Sequence, residues 1–313
     1  MSTAFVFPGQ GSQFIGMGKD IYDTFPVAKD VFQEVNDALD QNLSDMIFSG
    51  EGDDLNLTQN TQPALMAVSI AMIRVLQDQG KLDFENNPNI TFVAGHSLGE
   101  YSALTAIGAL GLSDTARLLR IRGTAMQEAV PVGVGAMAAI LGLDYADVEQ
   151  IAKESSGEEV CTAANDNANG QVVVSGHKGA VEAAVVMASE RGARKSVILP
   201  VSAPFHCPLM QPAAERMAEA LADVHIKTPA LPVVANVSAA SVTEPDQIRK
   251  LLVEQVTGSV RWRESVLYMK EQGVSHLVEV GAGKVLTGLT RRIDKGLTAQ
   301  SVQTVDDIEQ FQV

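Results

Sequence analysis

The apolar positions of this chain follow two alternating rhythms. Short hydrophobic runs, Thr3–Phe7 (TAFVF) and Asn89–Gly95 (NITFVAG), are bounded by loop residues and predict buried strands. Longer stretches repeat apolar residues at helical spacing: YDTFPVAKDVFQEVNDAL, TQPALMAVSIAMIRVLQDQG closed by Gly80, SLGEYSALTAIGALG, and SDTARLLRIRGTAMQEAV with Ser113 or Asp114 as its N-cap. Buried strands alternating with helices imply an α/β fold built on a largely parallel sheet covered on both faces.

The rhythm changes after Pro131. GAMAAILGL, EEVCTAAN, QVVVSG and RKSVILPV read as strands, DYADVEQIAKES and HKGAVEAAVVMASERG as helices, and the loop DNANG joins the middle two strands. The order is β-α-β-β-α-β, the ferredoxin-like pattern. VVANV (Val233–Val237) and SHLVEVG (Ser275–Gly281) read as further strands of the first sheet. The expected organisation is a discontinuous large domain, residues 1–130 and 204–313, with a small domain inserted at 131–203. The polar tail after Thr298 is expected to be loosely held.

Composition adds the limits. The 313 residues are 46% hydrophobic and 19% charged, which suits a soluble enzyme. No apolar run approaches the roughly 18–20 residues of a membrane helix. MSTAFVFPGQ carries no basic residue, so a secretory leader is not expected. With 23 basic and 38 acidic side chains the net charge is −15, a surface that repels nucleic acid. Cys161 and Cys207 lack any CxxC spacing and read as reduced thiols in a cytoplasmic protein. The five histidines, His96, His177, His206, His225 and His276, are scattered, and no H-E-x-x-H occurs, so neither a metal nor a cofactor is expected.

The chemistry gathers around VAGHSLGE, Val93–Glu100, a strand end running into a helix. Gly95 and Gly99 flank Ser97 at G-x-S-x-G spacing. Either the turn is only tight, or Ser97 is held out as a nucleophile with the Leu98 N–H and the helix dipole facing an oxyanion. A serine needs a base. His206, between Pro204 and Pro208 in VSAPFHCPLM, is the candidate, because His96 as the neighbour of Ser97 should face the other way. Cys207 is a rival nucleophile. On the helix TARLLRIRGTAM, Arg122 falls among Leu118, Leu119, Ala125 and Met126, away from Arg117 and Arg120. An arginine in an apolar stripe must meet an anion, either an internal carboxylate or a substrate's. The glycine clusters VEVGAGKVL and GQGSQF miss the nucleotide-loop patterns at Val278, Val285 and Phe14. From these residues alone, an acyltransferase, a serine thioesterase or hydrolase, and a non-catalytic carrier-binding protein all stay open.

Seven blocks in order, FVFPGQGSQ, TQPAL, GHSLGEYSAL, RG..MQ, GAMAAILG, PVS.PFH and VGAGKVL, resemble the malonyl-CoA:acyl carrier protein transacylase family of bacterial fatty-acid synthesis, over about residues 4–295. The resemblance implies an α/β-hydrolase-like large domain with a ferredoxin-like lid. Its partners would be malonyl-CoA and acyl carrier protein, with no nucleic acid and no membrane insertion. It implies Ser97 as the acylated nucleophile, His206 as base and Arg122 as the ligand of the malonyl carboxylate. It further implies the main-chain N–H of Gln13 joining that of Leu98 in the oxyanion hole, and Gln255 orienting His206 through its main-chain carbonyl. Gln62, Met126, Asn165, Asn167 and Asn236 match positions near the family's pocket. The chain departs from the family pattern at Ala282, Asn169 and Ser259, which alters loop stiffness. Two basic clusters are expected to dock an acidic carrier: Arg191, Arg194 and Lys195, and Lys284, Arg291, Arg292 and Lys295.

Overall fold

The computed structural model describes residues 2–201 and 203–313; Met1 and Ser202, the latter in the PVS.PFH block, lie outside them. Strand β1 (Ser2–Phe7) leads through α1 (Lys19–Thr24), α2 (Pro26–Leu39), α3 (Leu43–Ser49), α4 (Gly52–Asn56) and α5 (Thr58–Asp78) to β2 (Ile90–Gly95), α6 (Leu98–Ala106) and α7 (Leu112–Glu128). The chain then builds β3 (Gly135–Leu141), α8 (Tyr145–Ser156), β4 (Cys161–Ala168), β5 (Gln171–His177), α9 (Lys178–Glu190) and β6 (Lys195–Ile198). It returns through a short 3-10 turn and α10 (Gln211–Ala222) to β7 (Val233–Ala235), β8 (Ala240–Val242), α11 (Pro245–Thr257), α12 (Trp262–Glu271), β9 (Val274–Val280), α13 (Val285–Ile293), β10 (Thr298–Val302) and α14 (Val305–Gln310).

Two sheets result. The first has six strands in the order β10-β9-β1-β2-β7-β8, parallel throughout except for the β7–β8 hairpin at one edge. β1 lies at its centre and is buried from Thr3 to Phe7, which is why it reads as a continuous apolar run rather than an alternation. α5 is apolar on nearly every side and is buried almost end to end against α2, α6 and α7. The second sheet is antiparallel, ordered β4-β5-β3-β6, and it closes its own core around Ile140, Val148, Ile151, Val172, Val174 and Val181.

Several sequence expectations are revised. The first helical stretch breaks at Phe25, because Pro26 starts a new helix as its first residue. The N-cap of α7 is Gly111, and the Ser113 hydroxyl instead donates to Glu34. β4 runs on through Asn165, Asp166 and Asn167 to Ala168, so the turn narrows to Asn169–Gly170. Polar residues can form strand here because both edges of β4 are satisfied: β5 pairs on one side, while on the other Asp166 N–H donates to Val260 O (2.9 Å) and Val260 N–H to Ala164 O (2.8 Å). The tail is not loose. β10 pairs in parallel with β9, a capping box between Thr304 and Asp307 starts α14, and Phe311 packs edge-on against Phe5. Among the described residues, no helix is long and apolar enough to cross a membrane.

Candidate active site

The site is built where β2 turns into α6. A Cβ on Gly95 would stand 1.9 Å from the carbonyl of Gly99, and one on Gly99 would stand 2.3 Å from Phe7 O, so strand and helix can meet this closely only as glycines. Between them Ser97 takes φ 55°, ψ −111°. Its N–H donates to Asn236 Oδ1 (2.7 Å), and the Asn236 amide in turn donates to Gly95 O (2.7 Å). The turn is thus pinned from the end of β7, and Ser97 Oγ projects into a cavity of about 170 Å³. That volume suits a small acyl group better than the roughly 300–1,000 Å³ of a drug-sized site.

Ser97 Oγ lies 2.7 Å from His206 Nε2. His206 Nδ1 lies 2.9 Å from the main-chain carbonyl of Gln255, which can only accept. The proton is therefore on Nδ1, and Nε2 is free to accept from the serine hydroxyl. Burial, and next the positive charge of Arg122, push the His206 pKa down to about 3, so the imidazole is neutral at ordinary pH. His206 itself has φ 58°.

Arg122 is buried on α7. It donates to Gln62 Oε1 (2.8 Å), Gln255 Oε1 (2.8 Å) and Ser97 Oγ (3.1 Å), and its plane lies near the Tyr101 ring. Every one of these acceptors is neutral. Among the described residues no carboxylate comes within ion-pair distance of it, so the internal salt bridge left open by the sequence is not formed. Burial lowers its pKa from the ordinary arginine value. Gly123 lets α7 approach α5 at this level, since a Cβ there would stand 2.6 Å from Gln59 Cα.

Of the other residues singled out in the sequence, Leu98, Gln62, Met126, Asn165 and Asn167 line the same cavity. Asn236 and Gln255 stand behind it. Gln255 Nε2 donates to Ser97 O (3.0 Å) and Glu100 Oε2 (2.8 Å). Gln13 is not among the residues that line the cavity, and its side chain turns to its own loop and α4, Oε1 accepting from Gly11 N–H (2.7 Å) and Nε2 donating to Asn56 (2.8 Å), while Gln10 of the same loop lines the cavity. Cys207 is fully buried, donates to Pro204 O (3.1 Å), and has its pKa raised by burial, which removes it as a thiolate nucleophile. Arg191, Arg194, Lys195, Lys284, Arg291 and Arg292 are exposed and lie off the cavity. Arg191 pairs with Glu154, and Arg292 donates to Gln171.

Three residues escaped sequence reasoning. His96 also lines the cavity, because the left-handed turn at Ser97 ends the strand alternation that should have sent it away. Its Nε2 lies 2.8 Å from Asn167 Oδ1, its ring tilts against Trp262, and burial lowers its pKa. Gln10 differs from Gln13 only in the path of the loop, which spacing does not reveal. Glu100 carried a signal: it is a carboxylate on a helix, α6, in which every residue is buried.

Comparison with known proteins agrees with this geometry. Residues 4–310 match the acyl transferase domain family. The Escherichia coli (strain K12) malonyl CoA-acyl carrier protein transacylase is 47% identical over 299 residues, 96% of this chain and 95% of that protein. The crystal structure of the acyl-carrier-protein-S-malonyltransferase from Bartonella henselae superposes with a TM-score of 0.96 at 56% identity, covering 99% of this chain and 98% of that one. A malonyl-transacylase solved in complex with a type II polyketide synthase acyl-carrier protein gives a TM-score of 0.95 at 42% identity, over 99% and 98%.

Proposed function

Because this chain belongs to the acyl transferase family that includes the malonyl CoA-acyl carrier protein transacylases, we propose that it carries malonyl from malonyl-CoA to the phosphopantetheine thiol of an acyl carrier protein through an acyl-enzyme on Ser97. It is an acyltransferase. The observation that carries the mechanism is the pair of contacts on one oxygen: Ser97 Oγ meets a neutral imidazole nitrogen at 2.7 Å and an unpaired buried guanidinium at 3.1 Å.

Ser97 Oγ attacks the thioester carbonyl as its proton passes to His206 Nε2. Gln255 O stabilises the imidazolium through Nδ1–H, the role a carboxylate fills in a hydrolase triad. The oxyanion is received by Leu98 N–H at the start of α6, and the second donor falls to the Gln10 N–H in place of Gln13. The tetrahedral species collapses, the C–S bond breaks, and the CoA thiolate takes the proton from His206. The carrier thiol then repeats the sequence in reverse on the ester. Arg122 holds the free carboxylate of the malonyl group; left empty, its unpaired charge disfavours neutral acyl groups.

The six-stranded layer, residues 1–130 and 204–313, fits a hydrolase-like catalytic domain. The strand order β4-β5-β3-β6 supports reading 131–203 as a ferredoxin-like lid. The test is intact mass after mixing with malonyl-CoA. The wild type should gain one malonyl group and lose it on adding carrier protein, and Ser97→Ala should gain none. An adduct of full level on Ser97→Ala sinks the assignment; free malonate formed without carrier identifies a hydrolase.

A further inference from the structure

Arg122 is a buried cation with only neutral acceptors, and a buried counter-charge is hydrogen-bonded to it through an intermediary. That charge is Glu100, buried on α6. Gln255 stands between them. Its Oε1 accepts from Arg122 Nη2 at 2.8 Å, and its Nε2 donates to Glu100 Oε2 at 2.8 Å. The two ends of an amide have nearly the same shape and opposite polarity, so the cation on one side and the anion on the other dictate which way it faces. With the amide reversed, an NH2 group would meet the guanidinium and a carbonyl would meet the carboxylate, two repulsive contacts in a dry interior. The same Oε2 accepts the main-chain N–H of Asn236 at 3.0 Å, and Asn236 holds the Ser97 N–H. One carboxylate oxygen therefore ties the serine turn and the arginine support together.

We propose that Glu100 is a positioning residue that sets the acyl preference of the site, by fixing the Gln255 amide that aims Arg122 at the acyl carboxylate. The proposal rests on the reading of Arg122 as the carboxylate ligand. Glu100 is not among the residues that line the cavity; its hydrogen bonds reach the site through Gln255 and Asn236. Without it the Gln255 amide is free to turn, and Arg122 loses a directed acceptor. The part of the loss that runs through Asn236 falls on every acyl group, and the part that runs through Arg122 falls only on acyl groups that need it, so the malonyl-to-acetyl ratio reports the second.

The experiment compares kcat and KM for malonyl-CoA and acetyl-CoA in wild type and five variants. Glu100→Ala should lower malonyl kcat/KM by about 10–100-fold, the scale of one hydrogen bond to a charged group, largely through KM. Acetyl transfer should fall less, by the share that Asn236 holds at the serine turn. Glu100→Gln still offers a carbonyl to Asn236 and Gln255, and should recover most of the malonyl-to-acetyl ratio. Gln255→Met keeps the main-chain carbonyl that orients His206 but removes the amide. That amide also holds Ser97 O, so both donors should slow, but the malonyl-to-acetyl ratio should fall as in Glu100→Ala, and the double variant should shift that ratio no further than either alone. Equal loss on both acyl donors, or losses that add, would overturn the proposal and leave Glu100 a purely structural group. If Glu100→Ala fails to fold, Gln255→Met and Glu100→Gln decide by the same ratio. Arg122→Ala separates the two layers of inference. A wild-type ratio in that variant defeats the carboxylate reading, whereas a lost ratio there with a kept ratio in the Glu100 and Gln255 variants defeats only this proposal.

Discussion

Ser97 and His206 both hold positive φ, 55° and 58°, in a backbone region that costs a non-glycine residue about 1–3 kcal/mol. Asp40 and Ala239 share this region of backbone, but only Ser97 and His206 of the four face one another, and in the proposed mechanism they are the two that exchange a proton. His206 is also kept neutral, with its pKa depressed to about 3 by burial and by Arg122. Acylation by malonyl-CoA should therefore show no protonation limb near pH 6.5. A rate that stays level from pH 8 to pH 5 is expected in stopped-flow mixing, and a fall centred at 6.5 would contradict the buried-base account. Glu100 has the opposite linkage. Its pKa rises to about 7 because burial penalises its charge, against hydrogen bonds from Asn236 and Gln255. The stability it contributes is full below the unfolded value near 4.5 and is lost as pH rises through 7. Glu100→Gln should thus gain on the wild type by as much as roughly 3 kcal/mol in urea unfolding at pH 8, with the difference vanishing near pH 4.

At the scale of elements, the elbow depends on backbones in contact. A methyl group on Gly99 would meet Phe7 O at 2.3 Å, and no side chain can move aside to relieve it. Gly99→Ala should cost at least the upper end of the ~1–3 kcal/mol of over-packing and displace Ser97 Oγ. Thermal unfolding and acyl-enzyme mass would register both losses together. This junction was legible in the sequence because its glycines have a single steric use. Arg122 was legible because it breaks an apolar stripe, and His206 because two prolines hold it in a loop. Other elements were hidden for physical reasons. Asn165 to Ala168 carry no strand pattern, since their order comes from Val260 on a distant segment. The tail has a polar composition, yet Ile308 and Phe311 bury themselves and Thr304 caps α14. Thr304→Ala should cost about 1 kcal/mol, and a midpoint unchanged by that substitution would mean that the last helix does not unfold with the rest.

For the whole molecule, charge and topology matter most. A protein of net charge −15 should repel an acidic carrier unless a local basic surface intervenes. We expect Arg194, Lys195, Arg291 and Arg292 to supply it. Reversing all four to Glu should slow malonyl transfer to the carrier several-fold at low salt while leaving loading from malonyl-CoA much less affected. Wild-type transfer should fall as salt screens exposed charges over about 8–10 Å. Equal transfer rates at low salt would move the docking surface elsewhere. The sheet order has a consequence in time. β1 leaves the ribosome before the other strands of its sheet, yet it lies between β2 and β9, and its register with β9 sets Ser2 against Val274. At about 5–20 residues per second, one edge of the central strand waits on the order of 15–55 s for its neighbour to be synthesised. Through that interval the strand that supports the serine turn has a bare apolar flank, and the growing chain must be kept from pairing it with another copy.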